Sequence, residues 1–209
     1  MDFTAERKAM VDSQVRVNDV TNHDIHLAML DVPRESFCAP ERAFAAYSED
    51  AVVIAGERRL MPARDVSKLL QAADPRAGQK ALAIAGPYAA AVLARMGLSV
   101  TAQEADQAVF DVVGDVLAQE GVQTVVAPLS QPAGQDWDLI ISEGGVAVLP
   151  QAWGDALRPG GRLVVVERTG AIGKAALFVK GPQGLSRREL FDSSPAVLAE
   201  LTPAPTFAL

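Results

Sequence analysis

Residues 80–104 read KALAIAGPYAAAVLARMGLSVTAQE, and this stretch decides the fold. Lys80–Ile84 is a short apolar run of strand length. Gly86-Pro87 makes a tight turn, because proline fixes φ and suits the first turn of a helix. Tyr88–Met96 is alanine-rich and reads as a helix, and Ser99–Gln103 is the next strand. Working downstream, Asp106 to about Gln119 is a helix and Val122–Val126 a third strand. After the loop Ser130–Asp136, Leu139–Ser142 is a fourth strand and Gln151–Leu157 a short helix. Arg158-Pro159-Gly160-Gly161 is a turn and Leu163–Glu167 a fifth strand. Gly170–Gly173 then turns the chain into Ala175–Lys180 as a hairpin partner.

Working upstream, Ala63–Ala73 is a helix with Val66, Leu69 and Leu70 on one face, broken by Pro75 and Gly78. Asp50–Ile54 is a short strand ended by Gly56. Pro40 opens a short helix through Phe44. Residues 4–31 form two helices, the second capped by Thr21 or Asn22 and stopped before Pro33. The tail Thr202–Leu209 is Pro-rich and expected to lie extended over the surface. Short buried strands alternating with amphipathic helices predict an α/β fold, its sheet mostly parallel with an antiparallel hairpin strand at the late edge. Residues 1–60 form a helical extension packed on the core, and residues 61–209 the sheet domain.

A chain of 209 residues suggests one domain, and 49% apolar against 22% charged residues excludes wholesale disorder. The net charge of −7 disfavours general binding to phosphate backbones, so no nucleic-acid partner is expected. Neither Ala81–Gly97 nor Leu163–Val166 approaches the ~20 apolar residues of a membrane span. The first ten residues carry four charges and no apolar signal core, which predicts a cytoplasmic protein. The one cysteine, Cys38, makes no internal disulfide, and His23 and His26 alone do not make a metal site. Trp137 and Trp153 are read as packing residues.

Several motifs carry a resemblance. Met10-Val11-Asp12-Ser13-Gln14 with Arg16, then Val32-Pro33-Arg34-Glu35-Ser36-Phe37 and Ala46-Tyr47-Ser48-Glu49, form an ordered N-terminal set. Ala89–Gly97 and Arg158-Pro159-Gly160-Gly161-Arg162-Leu163 continue it in the sheet domain. In these the chain resembles the protein-L-isoaspartate O-methyltransferase family, a branch of the class I S-adenosylmethionine-dependent methyltransferases. The ending Glu189-Leu190-Phe191-Asp192 is similar to that of a divergent bacterial branch. The resemblance implies a Rossmann-like methyltransferase sheet and S-adenosylmethionine as cofactor. It implies isoaspartyl-containing proteins or peptides as substrate and leaves the oligomeric state open.

Such chemistry needs close backbone approach after the first strand and a carboxylate ending the second, for the ribose hydroxyls. Glu104, 18 positions after Gly86, is that carboxylate on this reading. The resemblance implies that Ala85, Gly86, Pro87, Tyr88 and Ala127 surround the cofactor and that Arg59, Met61, Pro62 and Glu143 surround the acceptor. Arg58, Arg59 and Arg64 stand close in sequence, as a carboxylate clamp or as a solvated basic turn. The chain departs from the family where Ala83 replaces an acid, where one glycine of three remains in a loop two residues shorter, and where Leu60 and Pro62 replace hydroxyl residues. Val126-Ala127-Pro128-Leu129 replaces the family's Gly-Asp-Gly, and no catalytic residue is assigned. Three readings stay open: an isoaspartyl carboxyl methyltransferase, a methyltransferase with another acceptor, and a catalytically inactive homologue serving as a binding or scaffold module.

Overall fold

The computed structural model describes residues 1–202. Its centre is β3 (Lys80–Ile84), paired in parallel on one side with β4 (Ser99–Glu104) and on the other with β6 (Trp137–Val146). The sheet has seven strands in the order β5-β4-β3-β6-β7-β8-β9, where β5 is Gln123–Val126, β7 Leu157–Glu167, β8 Gly173–Gly181 and β9 Gly184–Ser193. The pairs from β5 to β7 are parallel, and β8 and β9 are antiparallel. The chain runs outward from β3 through β4 and β5, then returns to β6 beyond β3. That reversal opens a crevice at the carboxyl ends of β3, β4 and β6, the usual ligand position in such sheets.

Strand alternation divides the interior. Ala81 and Ala83 face one apolar cluster, and Leu82 and Ile84 face another. The first cluster receives α3 (Ala63–Ala73), α4 (Pro87–Arg95) and α5 (Gln107–Gln119). It also takes in the N-terminal α1 (Phe3–Met10) and α2 (His23–Asp31), so the extension and the sheet share one core. The second cluster is covered by Trp153 of the short α6 (Gln151–Asp155) and by the chain end, with Leu198 and Leu201 buried in it. Gly145 pairs with Val197 there, and a Cβ on Gly144 would lie 2.7 Å from the Leu198 side chain. Trp137 and Trp153 are both buried, as their packing role requires.

Four expectations need correction. The helix after α1 continues as a wide turn over Val11–Val15, with five-residue hydrogen bonding. Arg58–Leu60 forms a strand, β2, paired with β1 (Val52–Ala55) in a hairpin hydrogen-bonded outside the main sheet. The late edge holds two antiparallel strands, because Gly184–Ser193 pairs along β8. Arg158–Gly161 lies inside β7 as an irregularity opposite Trp137, and a Cβ on Gly161 would sit 2.7 Å from the Trp137 carbonyl. The expected path of residues 203–209 lies outside the described residues. Among the described residues no helix is long and apolar enough to cross a membrane.

Arg34 joins the N-terminal segment to the chain just before α3. Its side chain is fully buried, and Nε donates to the Ala46 carbonyl at 2.8 Å while Nη2 donates to the Met61 carbonyl at 2.5 Å. The guanidinium also stacks 4.7 Å from the Tyr88 ring centroid, and Phe37 meets that ring edge-on. Arg34→Met keeps the apolar stem but leaves two buried carbonyls without donors. Two lost charge-assisted bonds predict a stability loss of about 2–4 kcal/mol in urea unfolding. A loss under about 1 kcal/mol would mean that water replaces the guanidinium.

Candidate functional site

Strand register builds the site. Ile84 pairs with Gln103 on one side and Ser142 on the other, so the next residues, Ala85, Glu104 and Glu143, emerge together at the crevice. Ala85 turns the chain with φ at +51°, a conformation that costs an alanine more than a glycine. The shortened turn then leads directly into α4, with Pro87 at its first position.

Both carboxylates are buried, Glu104 to 1% and Glu143 to 2% exposure. Glu104 is gripped by Arg58 from the β1–β2 hairpin, with Nε donating to Oε2 at 3.0 Å and Nη2 to Oε1 at 3.1 Å. The same Nη2 donates to the Ala85 carbonyl at 2.6 Å. This is a bidentate pair, the geometry that suits guanidinium and carboxylate best. Glu143 turns the other way. Its Oε1 accepts the Ala89 amide at 2.6 Å in the first turn of α4, where unpaired amides favour an anion. Its Oε2 has no partner in the structure. Burial raises the Glu143 carboxyl from its usual 4.5 to about 7, against the lowering pull of the Ala89 amide, Arg34 and Arg58.

A hollow of about 270 Å³ lies beside this pair of acids. Arg58, Arg59, Met61 and Glu143 line it, together with Leu129, Val109 and the chain end Pro195–Glu200. Glu104 is not among the lining residues, because Arg58 covers it. Of the residues anticipated around a cofactor, Ala85 and Gly86 are buried at the β3–α4 turn and do not line the hollow. A Cβ on Gly86 would be 3.5 Å from Glu143 Cγ. Pro87 begins α4, and Tyr88 is a core residue under Arg34, its hydroxyl unpartnered and pushed up to about 12 by burial. Ala127 donates its amide to the Glu104 carbonyl at 3.0 Å and does not line the hollow. Pro62 opens instead onto a separate hollow with Arg64, Gln14 and Asp65. Thus the three arginines are not one clamp in space: Arg58 holds Glu104, Arg59 faces the hollow, and Arg64 binds Asn18 and Asp65.

Sequence reasoning missed Arg58 as the partner of Glu104 and missed the chain end as a wall. Neither carries a local signal, since 46 positions separate Arg58 from Glu104. His26 is buried against the Val20 carbonyl, and Cys38 is buried with its thiol pushed up to about 11 by desolvation. Among the described residues no cluster of His, Cys, Asp and Glu suits a metal ion.

Comparison with known proteins gives a consistent result. The family profile described as protein-L-isoaspartate(D-aspartate) O-methyltransferase matches residues 5–184. A protein-L-isoaspartate O-methyltransferase 1 from Rhodopseudomonas palustris (strain HaA2) is 32% identical over 170 residues, covering 78% of this chain and 69% of that one. A relative of the same name from Methylorubrum extorquens (strain PA1) is 29% identical over 207 residues, covering 96% and 90%. A beta-aspartate methyltransferase from Plasmodium falciparum, in complex with S-adenosyl-L-homocysteine, superposes with a TM-score of 0.79 at 15% identity over 93% of this chain and 98% of that one. This last likeness is one of fold.

Burial holds a proton on Glu143 in the folded chain that the unfolded chain releases near its usual 4.5. Folded stability is therefore lost as pH rises from there through about 7. Glu143→Gln keeps an acceptor for the Ala89 amide and removes the titration. Between pH 5 and 8 its stability relative to the parent is expected to rise by about 2–3 kcal/mol in denaturant titrations. Parallel pH profiles for the two proteins would rule this out.

Proposed function

Because the chain belongs to the protein-L-isoaspartate(D-aspartate) O-methyltransferase family, we propose that it methylates the side-chain carboxylate of L-isoaspartyl residues in damaged proteins, with S-adenosylmethionine as the family's methyl donor. The observation that carries this reading is the family match over residues 5–184, joined to a crevice at the strand reversal with a carboxylate, Glu104, ending β4.

The residues present suit the acceptor half of such a reaction. An isoaspartyl carboxylate is ionised at neutral pH, so it needs orientation rather than a strong base. Arg59 lines the hollow, is exposed, and among the described residues has no ion-pair partner. Its planar fork is suited to hold a carboxylate through two parallel bonds. Met61 supplies an apolar wall beside it. Leu60 and Pro62 bring no hydroxyl, so acceptor orientation falls to Arg59 and to backbone.

The donor half is different. As the side chains stand, they do not fit S-adenosylmethionine. The acid expected to receive its sugar hydroxyls is held by Arg58, and the Ala89 amide in the first turn of α4 is met by Glu143. The hollow beside the two acids, about 270 Å³, is near the lower end of the ~300–1,000 Å³ of ordinary ligand sites. The same ion pair favours a second reading, in which the fold is kept as a binding module.

Incubation with methyl-labelled S-adenosylmethionine and an isoaspartyl peptide, beside its aspartyl twin, separates the two. Label is expected in the isoaspartyl peptide alone, as a base-labile ester. Label in neither peptide, with folded protein, would leave the binding module.

A further inference from the structure

Arg58 has no role in the family reaction as described above, yet it makes the most elaborate polar contact in the crevice. Its three hydrogen bonds take both oxygens of Glu104 and the carbonyl of Ala85. These groups stand at the tips of adjacent strands, where a nucleoside sugar has to find its acceptors. Glu143 closes the neighbouring position, with its carboxyl on the Ala89 amide and its Cγ packed over Gly86. The chain thus places its own guanidinium on the diol acceptor and its own carboxyl on one first-turn helix amide. Sugar hydroxyls would donate to the same carboxylate without a charge of their own, whereas the Arg58 fork adds an ion pair to its two parallel bonds. The comparison therefore favours Arg58 wherever it is present.

Arg58 is also placed to leave. It sits just after the Gly56 turn of a two-stranded hairpin that shares no strand pairing with the seven-stranded sheet. Its side chain keeps 19% exposure and borders the hollow, while Glu104 behind it has 1%. Swinging the guanidinium outward breaks three side-chain bonds and no ladder bond of the main sheet.

We infer that Arg58 is a specificity-determining gate, an internal competitor that holds Glu104 closed to nucleoside ligands until it is displaced. The inference rests on the methyltransferase reading for the identity of the ligand class. It assigns Arg58, and not the shortened turn, as the dominant barrier to donor binding.

Calorimetric titration with S-adenosyl-L-homocysteine tests it on the full chain. Arg58→Met keeps the stem and removes the fork, and is expected to bind at least fivefold more tightly than the parent. Arg58→Lys keeps the charge but loses the bidentate grip, and is expected to show a gain in the same direction. It serves alone if Arg58→Met leaves Glu104 too poorly compensated to fold. A gain below fivefold in Arg58→Met overturns the inference, including the case in which neither protein binds at millimolar ligand. If only Arg58→Lys folds, the absence of any gain overturns it equally. The two readings fail separately. A parent that binds as tightly as the variant and labels the isoaspartyl peptide refutes the gate alone. A variant that gains affinity while neither protein transfers methyl refutes the activity alone.

Discussion

The ion pair between Arg58 and Glu104 is the constraint on which the crevice depends. A carboxylate at 1% exposure is costly unless it is paired and hydrogen-bonded. Arg58 meets that condition with two bonds, and its third bond fixes the Ala85 carbonyl. One side chain therefore ties a peripheral hairpin to the tips of β3 and β4. Its presence also bears on Glu143, whose carboxyl lies close enough to feel both Arg58 and Glu104. A second ionised acid here would be opposed by desolvation and by its neighbour, and a carboxyl raised to about 7 is the outcome.

Several small substitutions make this arrangement possible together. Ala83 and Gly86 leave the floor shallow, and Glu143 packs into the space above them. Ala85 accepts a left-handed conformation so that the turn can enter α4 without extra residues. Gly144 and Gly145 let the chain end lie against β6, and Leu198 fills the gap that a Cβ would occupy. The result is a crevice with family topology and an interior furnished by the chain's own groups. Close to Glu143, Arg34 and Tyr88 form a buried contact between the N-terminal segment and α4. This explains why the Val32–Phe37 segment packs so deeply for a stretch near the start of the chain.

Legibility divided along physical lines. The central strands and helices were readable because each is short-range: Lys80–Ile84 and Ala63–Ala73 agree with the structure to the residue. The hairpin strand Arg58–Leu60 was not, because a charged three-residue strand has no period of its own. Nor was Gly184–Ser193, a polar edge strand whose pairing with β8 supplies the order that its composition does not. Glu104 was placed at the right strand end by its position after Ser99–Gln103 and by the family resemblance, whereas its partner and its inaccessibility were not visible.

By itself the sequence determined the order of the central elements, the sheet class, the family, and the emergence of one acid at the end of β4. The elements follow from periodicity, turn residues and spacing, and the family and the expected role of the acid from the resemblance of the motifs, all of which are written contiguously along the chain. Only the tertiary structure decided what that acid touches and whether a ligand can reach it. Arg58 arrives from 46 positions away, and the surroundings that set the charge of Glu143 come from residues 34, 58, 89 and 104. Burial and pairing energies depend on atoms converging from many segments, and that convergence exists only once the chain has folded.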